Sequence, residues 1–177
     1  GQKNQGIRCD ALVNWADLTP TILDLAGATP RDYEFHGRSF TSVLEREHAP
    51  DWDTVYASHT FHEITMYYPM RVVRERRFKL IWNLAHGLDY PFASDLWAAA
   101  TWQGTLKRGR RLYGRRSVDA YLHRPKFELY DLENDPHEVK NLAEDPQHQA
   151  KLEEMKAKLK AFQKRTQDPW IVKWNYE

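Results

Sequence analysis

The sequence predicts an α+β fold in which a small antiparallel sheet is packed by a long C-terminal helix. Two apolar runs, at 70–73 and 78–82, flank four charged residues, which is typical of a β-hairpin. A short alternating run at 127–132 indicates a further strand. After Asp145-Pro146, apolar side chains recur every three or four residues as far as Phe162, which indicates an amphipathic helix.

Composition narrows the class of protein. The 177 residues suffice for one or two domains, and seven Trp, nine Tyr and seven Phe exclude a disordered chain. A single cysteine, Cys9, excludes an internal disulfide framework and any multi-cysteine metal site. The 26 basic and 25 acidic residues nearly cancel, so only local clusters can favour an anionic partner. No run of 18 apolar residues occurs, and we expect no membrane partner.

The first predicted helix covers 17–27. Asp17 is a suitable N-cap, Pro20 is tolerated in the first turn, and Gly27 suits a left-handed C-cap. The spacing of its apolar residues places them on one face, which we expect to pack on a larger body. These residues are Leu18, Ile22, Leu25 and Ala26.

The segments around this helix are shorter. Residues 11–13 indicate either a short strand or a lead-in, and 35–44 predict a turn into a short helix. Residues 45–53 are polar and contain a proline, which indicates a linker, and 54–58 are predicted as a strand.

Beyond the hairpin, 84–126 is the least regular stretch, with a short helix predicted within 94–106. Asp135, Pro136 and Glu138 have the spacing of an N-cap, an N1 proline and a capping-box acid, so a helix is predicted to start there. The helix that begins at Asp145-Pro146 is predicted to end before 168–169. The apolar tail at 170–174 is expected to dock on the body of the protein.

The sequence contains no complete set of catalytic residues. On a strand His59 and Glu63 would share a face and His62 would point away, which is poor geometry for three metal ligands. We therefore predict no metal here. Ordinary polar residues at a strand end and pocket-lining groups that bind a polar substrate both stay open. Cys9 has no neighbouring His base, which favours an incidental or structural thiol.

Two clusters of basic residues stand out. Guanidinium groups bind sulfate, phosphate and carboxylate bidentately, so an anionic ligand is one interpretation and a solvated surface the other. Acidic neighbours and the absence of a recognition motif argue against nucleic acid. The first cluster is Arg71, Arg74, Arg76, Arg77 and Lys79, and the second is Lys107, Arg108, Arg110, Arg111, Arg115 and Arg116.

Three segments resemble the sulfatase family. The sequence DLTPTILDLAG at 17–27, followed by GRSF at 37–40, is similar to the closing helix and loop of the large sulfatase domain. ELYDLENDPHE at 128–138, with NLA at 141–143, resembles the strand-to-helix signature of the C-terminal subdomain. SH at 58–59 with HEITMYYPMRVV at 62–73, and DPW at 168–170, resemble the N-sulfoglucosamine sulfohydrolase (sulfamidase, heparan N-sulfatase) group.

The resemblance implies a division of the chain. Residues 1–50 would be the tail of an alkaline-phosphatase-like α/β sulfatase domain, and 51–177 the C-terminal subdomain. The chain is then expected to be the C-terminal part of a longer enzyme that is periplasmic or secreted, and to be inactive alone. In such a fragment the helix at 17–27 would lack the body on which it packs, so we expect self-association through its apolar face.

The resemblance also implies a mechanism. Sulfatases use a formylglycine, made from the first residue of a Cys/Ser-x-Pro-x-Arg motif, and a calcium ion. Cys9 is followed by Asp10-Ala11, so it does not match that motif, and no catalytic or metal-binding residue of the family maps onto this chain. The parent enzyme would hydrolyse N-sulfate groups of glucosamine in heparan-type glycans. The alternatives are an O-sulfatase or phosphoester hydrolase of the same superfamily, and a non-catalytic module that binds anionic glycans.

Within this interpretation the chain would contribute substrate recognition. His59, His62, Glu63 and Arg71 are predicted to approach the pocket, with Glu63 suited to a sugar hydroxyl or ammonium and Arg71 to a carboxylate or sulfate. An alternative for Arg71 is a structural corner, in which its guanidinium pairs with an internal acid. The sequence leaves both open.

Overall fold

A computed structural model describes residues 4–28, 32–63 and 66–176. Contacts divide the chain into two compact units, Gly1–Tyr56 and Ala57–Glu177, with the boundary inside the first strand. An antiparallel sheet and a long C-terminal helix confirm the predicted α+β class. Assignment of 1–50 and 51–177 to two sulfatase domains stays a prediction. Among the described residues no helix is long and apolar enough to cross a membrane.

In the first unit, helix α1 spans Leu18–Leu25 and follows a 3-10 turn at Trp15–Asp17. Gly27 adopts a positive φ of 65°, which confirms the predicted C-cap position. The prediction for Asp17 is wrong, because its side chain does not cap α1. It is buried and accepts hydrogen bonds from the backbone N–H groups of Asn14 and Arg38, each at 2.9 Å. A carboxylate buried in this way needs those donors.

The loop after α1 is fastened to that helix by side chains. Thr21 Oγ1 accepts from the Phe40 N–H at 3.0 Å, and the Ser39 hydroxyl donates to Asp24 at 2.6 Å. The loop ends in a 3-10 helix at Thr41–Val43, which confirms the short helix predicted before residue 44. Residues 29–31, between α1 and the loop, lie outside the described residues.

The prediction of a linker at 45–53 is wrong. Ala49 and Trp52 are buried in an apolar cluster with Val43, and Ala11 packs against it. The Leu12 N–H donates to the Trp52 carbonyl at 2.8 Å, so 11–13 is a lead-in rather than a strand. A polar sequence therefore forms the small core of this unit, because its few apolar side chains point inward together.

The second unit is built on a four-stranded sheet in the order β1-β2-β3-β6. Its strands are β1 (Thr54–His62), β2 (Met66–Glu75), β3 (Phe78–Asn83) and β6 (Phe127–Asp131). β3 is antiparallel to both neighbours, with Val73 opposite Leu80 and Leu80 opposite Leu129. The predicted hairpin and the strand at 127–132 are confirmed, and β1 extends past the predicted end at 58.

The C-terminal helix α5 (Gln149–Arg165) covers this sheet and is entered through a 3-10 turn at Pro146–His148. Leu152, Met155 and Leu159 are buried, which confirms the predicted stripe. Glu75, at the end of β2, forms ion pairs with Lys151 and Lys158 of α5. A 3-10 helix at Pro169–Trp174 then returns over the sheet.

The tail docks through its last tryptophan. Trp174 packs on Trp82 of β3 with ring centroids 4.0 Å apart. The Trp174 indole N–H donates to Gln163 of α5 at 2.7 Å. These contacts confirm the predicted docking of 170–174. The Trp174 ring covers apolar surface, and its indole N–H has a hydrogen-bond partner.

The segment 84–126 contains more regular structure than its sequence predicts. It forms α2 (Ser94–Ala98), α3 (Ala100–Lys107), the short hairpin β4 (Leu112–Tyr113) and β5 (Arg116–Ser117), and α4 (Val118–Leu122). The predicted helix within 94–106 is therefore two helices, which meet at the extended residue Ala99. The sequence did not predict the hairpin, because its two-residue strands lie among glycine-containing turns. It did not predict α4 because that helix is only about one turn long.

The helix predicted to start at Asp135 does not form. The Asp135 carboxylate accepts from the N–H groups of Val139 and Lys140, and Glu138 adopts a φ of 53°, which no α-helix allows. The following residues lie beside β6 instead: the Asn141 side chain accepts from the Leu129 N–H at 2.8 Å and donates to the Phe127 carbonyl at 3.0 Å. Tertiary hydrogen bonds replace the helical ones.

Gly37 generates a prediction for the first unit. A Cβ at this position would lie 2.2 Å from the Ala16 carbonyl oxygen, and a backbone atom cannot move aside cheaply. Gly37→Ala should therefore lower the free energy of unfolding by about 2 kcal/mol or more. Urea unfolding followed by tryptophan fluorescence measures this change.

The matched control is Gly104→Ala within α3, where an added Cβ meets nothing within 4 Å. This control should be neutral or stabilise the chain by up to about 1 kcal/mol. Equal stability of the Gly37→Ala chain and the wild type would contradict the close approach.

Candidate functional site

Three of the four predicted recognition residues lie near the end of β1 or directly after it. His59 is partly buried, and its Nδ1 lies 3.0 Å from the Tyr68 carbonyl oxygen across the strand pair. His62 ends β1 and is exposed, and Glu63 follows it, also exposed. Residues 64–65, which belong to the same sequence motif, lie outside the described residues. We call His59, His62 and Glu63 the hairpin corner.

Glu63 holds an unusual backbone conformation. Its φ of 60° lies in the left-handed region, which a non-glycine residue enters at a cost that often marks a functional site. Its carboxylate lies 3.3 Å from the Ser94 N–H and 3.2 Å from the Ser94 hydroxyl, and both groups donate to it. The alternation expected for a strand stops at His62, so the turn, rather than a strand face, decides where Glu63 lies.

Arg71 forms a buried ion pair with Asp168, 97 residues away. Its Nε and Nη2 donate to the two carboxylate oxygens at 2.5 and 2.9 Å, and Nη1 donates to the carbonyls of His59 and Met70. Only 8% of Arg71 is exposed. This geometry favours the structural-corner alternative over direct contact between Arg71 and a substrate, and it fixes the backbone at His59.

The environment of Asp168 keeps it ionised. Burial acts to raise the pKa of this carboxyl, but hydrogen bonds from Arg71 and Gln163 outweigh it, so the pKa lies below its ordinary value. Asp168 also caps the final 3-10 helix by accepting from the Trp170 N–H at 3.1 Å. One carboxylate thus holds β2, the end of α5 and the tail together.

Most of the first basic cluster is neutralised within the fold. Arg77 pairs with Asp131 at 2.7 Å, and hydrogen bonding from Arg77 holds the pKa of Asp131 well below its usual range. Lys79 pairs with Glu138. These cations support the sheet, so this cluster offers a substrate less charge than its sequence suggests.

The second basic cluster divides into two parts. Arg116 lies among acids, 3.4 Å from Glu138 and 3.6 Å from Glu128. The other five are exposed, and their side chains form no hydrogen bond or ion pair with any residue that the structure describes. They are Lys107, Arg108, Arg110, Arg111 and Arg115.

Sequence reasoning missed an aromatic cluster beside these cations. Phe92 packs against Trp102 with ring centroids 4.5 Å apart, and Tyr113 meets Trp102 edge-on at 5.2 Å. The Arg124 guanidinium lies 3.7 Å from the centre of the Tyr90 ring. The high density of aromatic residues between 90 and 121 was the available signal.

The described parts of the chain contain no cluster of side chains that could bind a metal ion. No three His, Cys, Asp or Glu side chains within 4–28, 32–63 and 66–176 come together so that they could hold an ion. Cys9 is exposed as a free thiol. The hairpin corner carries an exposed imidazole and an exposed carboxylate, from His62 and Glu63.

Comparisons with known proteins identify the family. Residues 113–165 match the model of the C-terminal part of N-sulphoglucosamine sulphohydrolase. Human N-sulphoglucosamine sulphohydrolase is 38% identical over 96% of this chain and 36% of its own length. The chain is homologous to the C-terminal part of sulfatases. An ulvan-active sulfatase of Formosa agariphila is 29% identical over 85% of the chain and 28% of its own length.

Solved sulfatase structures share the fold. A 2-O GAG sulfatase aligns with a TM-score of 0.57 and 26% identity, over 87% of this chain and 25% of that one. An enzyme solved with its substrate D-glucosamine-2-N,6-O-disulfate aligns with a TM-score of 0.55 over 86% of this chain and 24% of its own, at 23% identity, which shows the fold alone. This chain spans about a third of the length of the curated sulfatases it matches.

The sulfatase motifs have identifiable structural tasks. Gly37 of the GRSF motif lies against the backbone at Ala16 and Asp17, and the Arg38 N–H donates to the Asp17 carboxylate. The side chain of Asn141, in the NLA motif, forms hydrogen bonds with the backbone N–H and carbonyl groups along β6. Asp168 of the DPW motif is the partner of Arg71. The residues that carried the resemblance therefore fasten segments to one another.

The ion pair generates a prediction with a defined pH dependence. Asp168→Asn leaves the buried Arg71 guanidinium without a counter-charge and should lower the free energy of unfolding at pH 7 by about 3 kcal/mol. Because the pKa of Asp168 is lowered in the folded protein, the wild type should lose this advantage as the pH falls below about 4. Urea unfolding at a series of pH values measures both effects.

Glu144→Gln serves as the control, since Glu144 is exposed and forms no ion pair with the described residues. It should change stability by less than about 0.5 kcal/mol. A constant difference between wild type and Asp168→Asn from pH 7 to pH 3 would contradict the assignment.

Proposed function

We propose that the complete protein hydrolyses N-sulfate groups of glucosamine in heparan-type glycans and that this chain supplies part of the substrate recognition. The observation that carries the proposal is the 38% identity to human N-sulphoglucosamine sulphohydrolase over 96% of the chain. Within this proposal 1–50 are the tail of the α/β domain and 51–177 the C-terminal subdomain.

The chemistry of sulfur transfer is assigned to the rest of the protein. The described residues hold no group of metal ligands, and Cys9 lacks the motif that precedes formylglycine formation, so the residues present do not fit the calcium or the formylglycine of sulfatases. The proposed location is periplasmic or extracellular, where an enzyme would encounter sulfated glycans.

The hairpin corner is the proposed recognition element. His62 and Glu63 are exposed, and the imidazole and carboxylate can hydrogen-bond sugar hydroxyl, ammonium or sulfamate groups. We assign direct contact to these two residues. His59 and Arg71 are positioning residues, because Arg71 donates to the His59 carbonyl and His59 contacts the Tyr68 carbonyl.

A second candidate is hydrolysis of O-sulfate esters in the same class of glycan. The 26% identity and TM-score of 0.57 to a 2-O GAG sulfatase favour it. Disaccharides that carry only an N-sulfate or only a 2-O-sulfate separate the two, because release of sulfate from one and not the other identifies the bond that is cleaved.

Substitutions at the corner test the recognition role. In the complete protein, His62→Ala and Glu63→Ala should each raise KM for an N-sulfated glucosamine substrate by about tenfold, since a hydrogen bond to a charged group contributes about 1.5 kcal/mol or more. Steady-state kinetics of sulfate release measure this. Glu144→Gln is the control, and wild-type kinetics for both corner variants would exclude them from recognition.

Self-association through α1 is a further proposal about the isolated chain. Ile22 and Leu25 are 55% and 68% exposed, and an apolar face of this kind favours association. Sedimentation of the 177-residue chain should show a mass that rises with concentration, and Ile22→Glu with Leu25→Glu should abolish the rise. Val139→Glu, at another exposed apolar residue, is the control. A monomeric wild type at every concentration would contradict the proposal.

A further inference from the structure

The second unit contains a cavity of about 340 Å³ that no part of the proposed recognition corner uses. Its size lies near the lower end of the range for small-molecule sites. The lining is mainly aromatic and apolar, with one carboxylate, Asp89, among it. The lining residues that matter here are Tyr90, Phe92, Trp97, Trp102, Leu106 and Leu122.

One wall of this cavity is unusually open to solvent. Trp97 of α2 is 52% exposed although it contacts the rings of Phe92 and Trp102. Packing on those rings limits the freedom of the indole, so a ligand that covers it loses little side-chain entropy. A large aromatic side chain held by its neighbours and open to water provides a platform for a flat apolar face.

The cavity adjoins the hairpin corner. Helix α2 begins at Ser94, which donates to the Glu63 carboxylate, and the same helix carries Trp97. A single turn of helix therefore separates the residue bound by Glu63 from the exposed indole. A ligand longer than one sugar ring can reach both.

Two cations follow one of the lining residues directly in the sequence. Leu106 lies in the last turn of α3, and Lys107 and Arg108 follow it directly. Both are exposed, and their side chains have no partner within the part of the chain that the structure describes. Neither residue lines the cavity itself, so their charge acts on a ligand from a distance and not by contact inside the cavity.

We propose that this cavity binds a sugar ring of the anionic glycan, one residue or more away from the unit held at the hairpin corner. The C–H face of a pyranose ring packs on Trp97, the Asp89 carboxylate accepts from a ring hydroxyl, and Lys107 and Arg108 attract sulfate or carboxylate groups. Asp89 pairs with His123 at 3.3 Å, but its side chain is 80% exposed, so it can still accept from a ring hydroxyl. This inference rests on the proposed function and adds a second contact for the same substrate.

Binding of a heparan-derived tetrasaccharide to the 177-residue chain tests the cavity. Trp97→Ala should weaken binding about five- to tenfold, as expected for loss of one aromatic contact. Because Trp97 is half exposed, its removal leaves the core intact. Lys107→Ala with Arg108→Ala should weaken binding further and reduce its dependence on salt. Isothermal titration at two salt concentrations measures both.

Trp15→Ala is the matched control, since Trp15 is 89% exposed and lies in the first unit. It should bind the tetrasaccharide as the wild type does. Equal affinity of the Trp97→Ala and Trp15→Ala chains would overturn the inference. So would undiminished binding of an apolar dye at Trp97 in the presence of saturating tetrasaccharide.

Kinetics of the complete protein separate this inference from the proposed function. Trp97→Ala should raise KM about fivefold or more for the tetrasaccharide and leave KM for N-sulfated glucosamine itself unchanged. Turnover of both substrates with no effect of Trp97→Ala overturns the cavity alone. If no N-sulfate is cleaved, the proposed function fails, while tetrasaccharide binding that depends on Trp97 still supports a sugar site.

Discussion

The buried ion pair between Arg71 and Asp168 is the interaction on which the second unit depends. It joins the middle of β2 to the segment after α5, and Arg71 extends the connection to β1 through the His59 carbonyl. Ion pairs between Glu75 and α5 fasten the other end of the same strand. The long helix is thus held to β2 at both ends, and the hairpin corner is built on a strand that cannot shift independently. A buried pair of this kind contributes to positioning more than to net stability, because desolvation offsets much of its attraction.

Charge is distributed unevenly in this nearly neutral chain. Cations near the sheet form ion pairs within the fold, Arg77 with Asp131 and Lys79 with Glu138. The cations from 107 to 115 are exposed and unpaired among the described residues, so the positive potential is concentrated on one loop. Composition gives only the total number of cations. The ion pairs of the fold determine which cations stay available to a ligand.

The proposed recognition surface has two kinds of contact. The hairpin corner presents hydrogen-bonding groups, with Glu63 held in a left-handed turn and bound to Ser94. The cavity beside it presents aromatic rings, and α2 connects the two. Polar groups that fix orientation and aromatic faces that supply contact area are the usual combination in small-molecule sites. The sulfatases that this chain resembles are about three times as long as the chain.

The sequence by itself determined the elements whose patterns are local. The hairpin β2–β3, strand β6, the apolar stripe of α5 and the Gly27 C-cap each follow from residues within a few positions of one another. Tertiary structure alone decided the partner of Arg71, the two N–H groups bound by Asp17, and the path of 135–144 along β6. It also decided that residues between 89 and 122, four of them aromatic, line a cavity. The reason is physical: the hydrogen-bond partner of a buried polar group, and the neighbour of a ring, come from whichever distant segment packs there, and a local pattern carries no record of that choice.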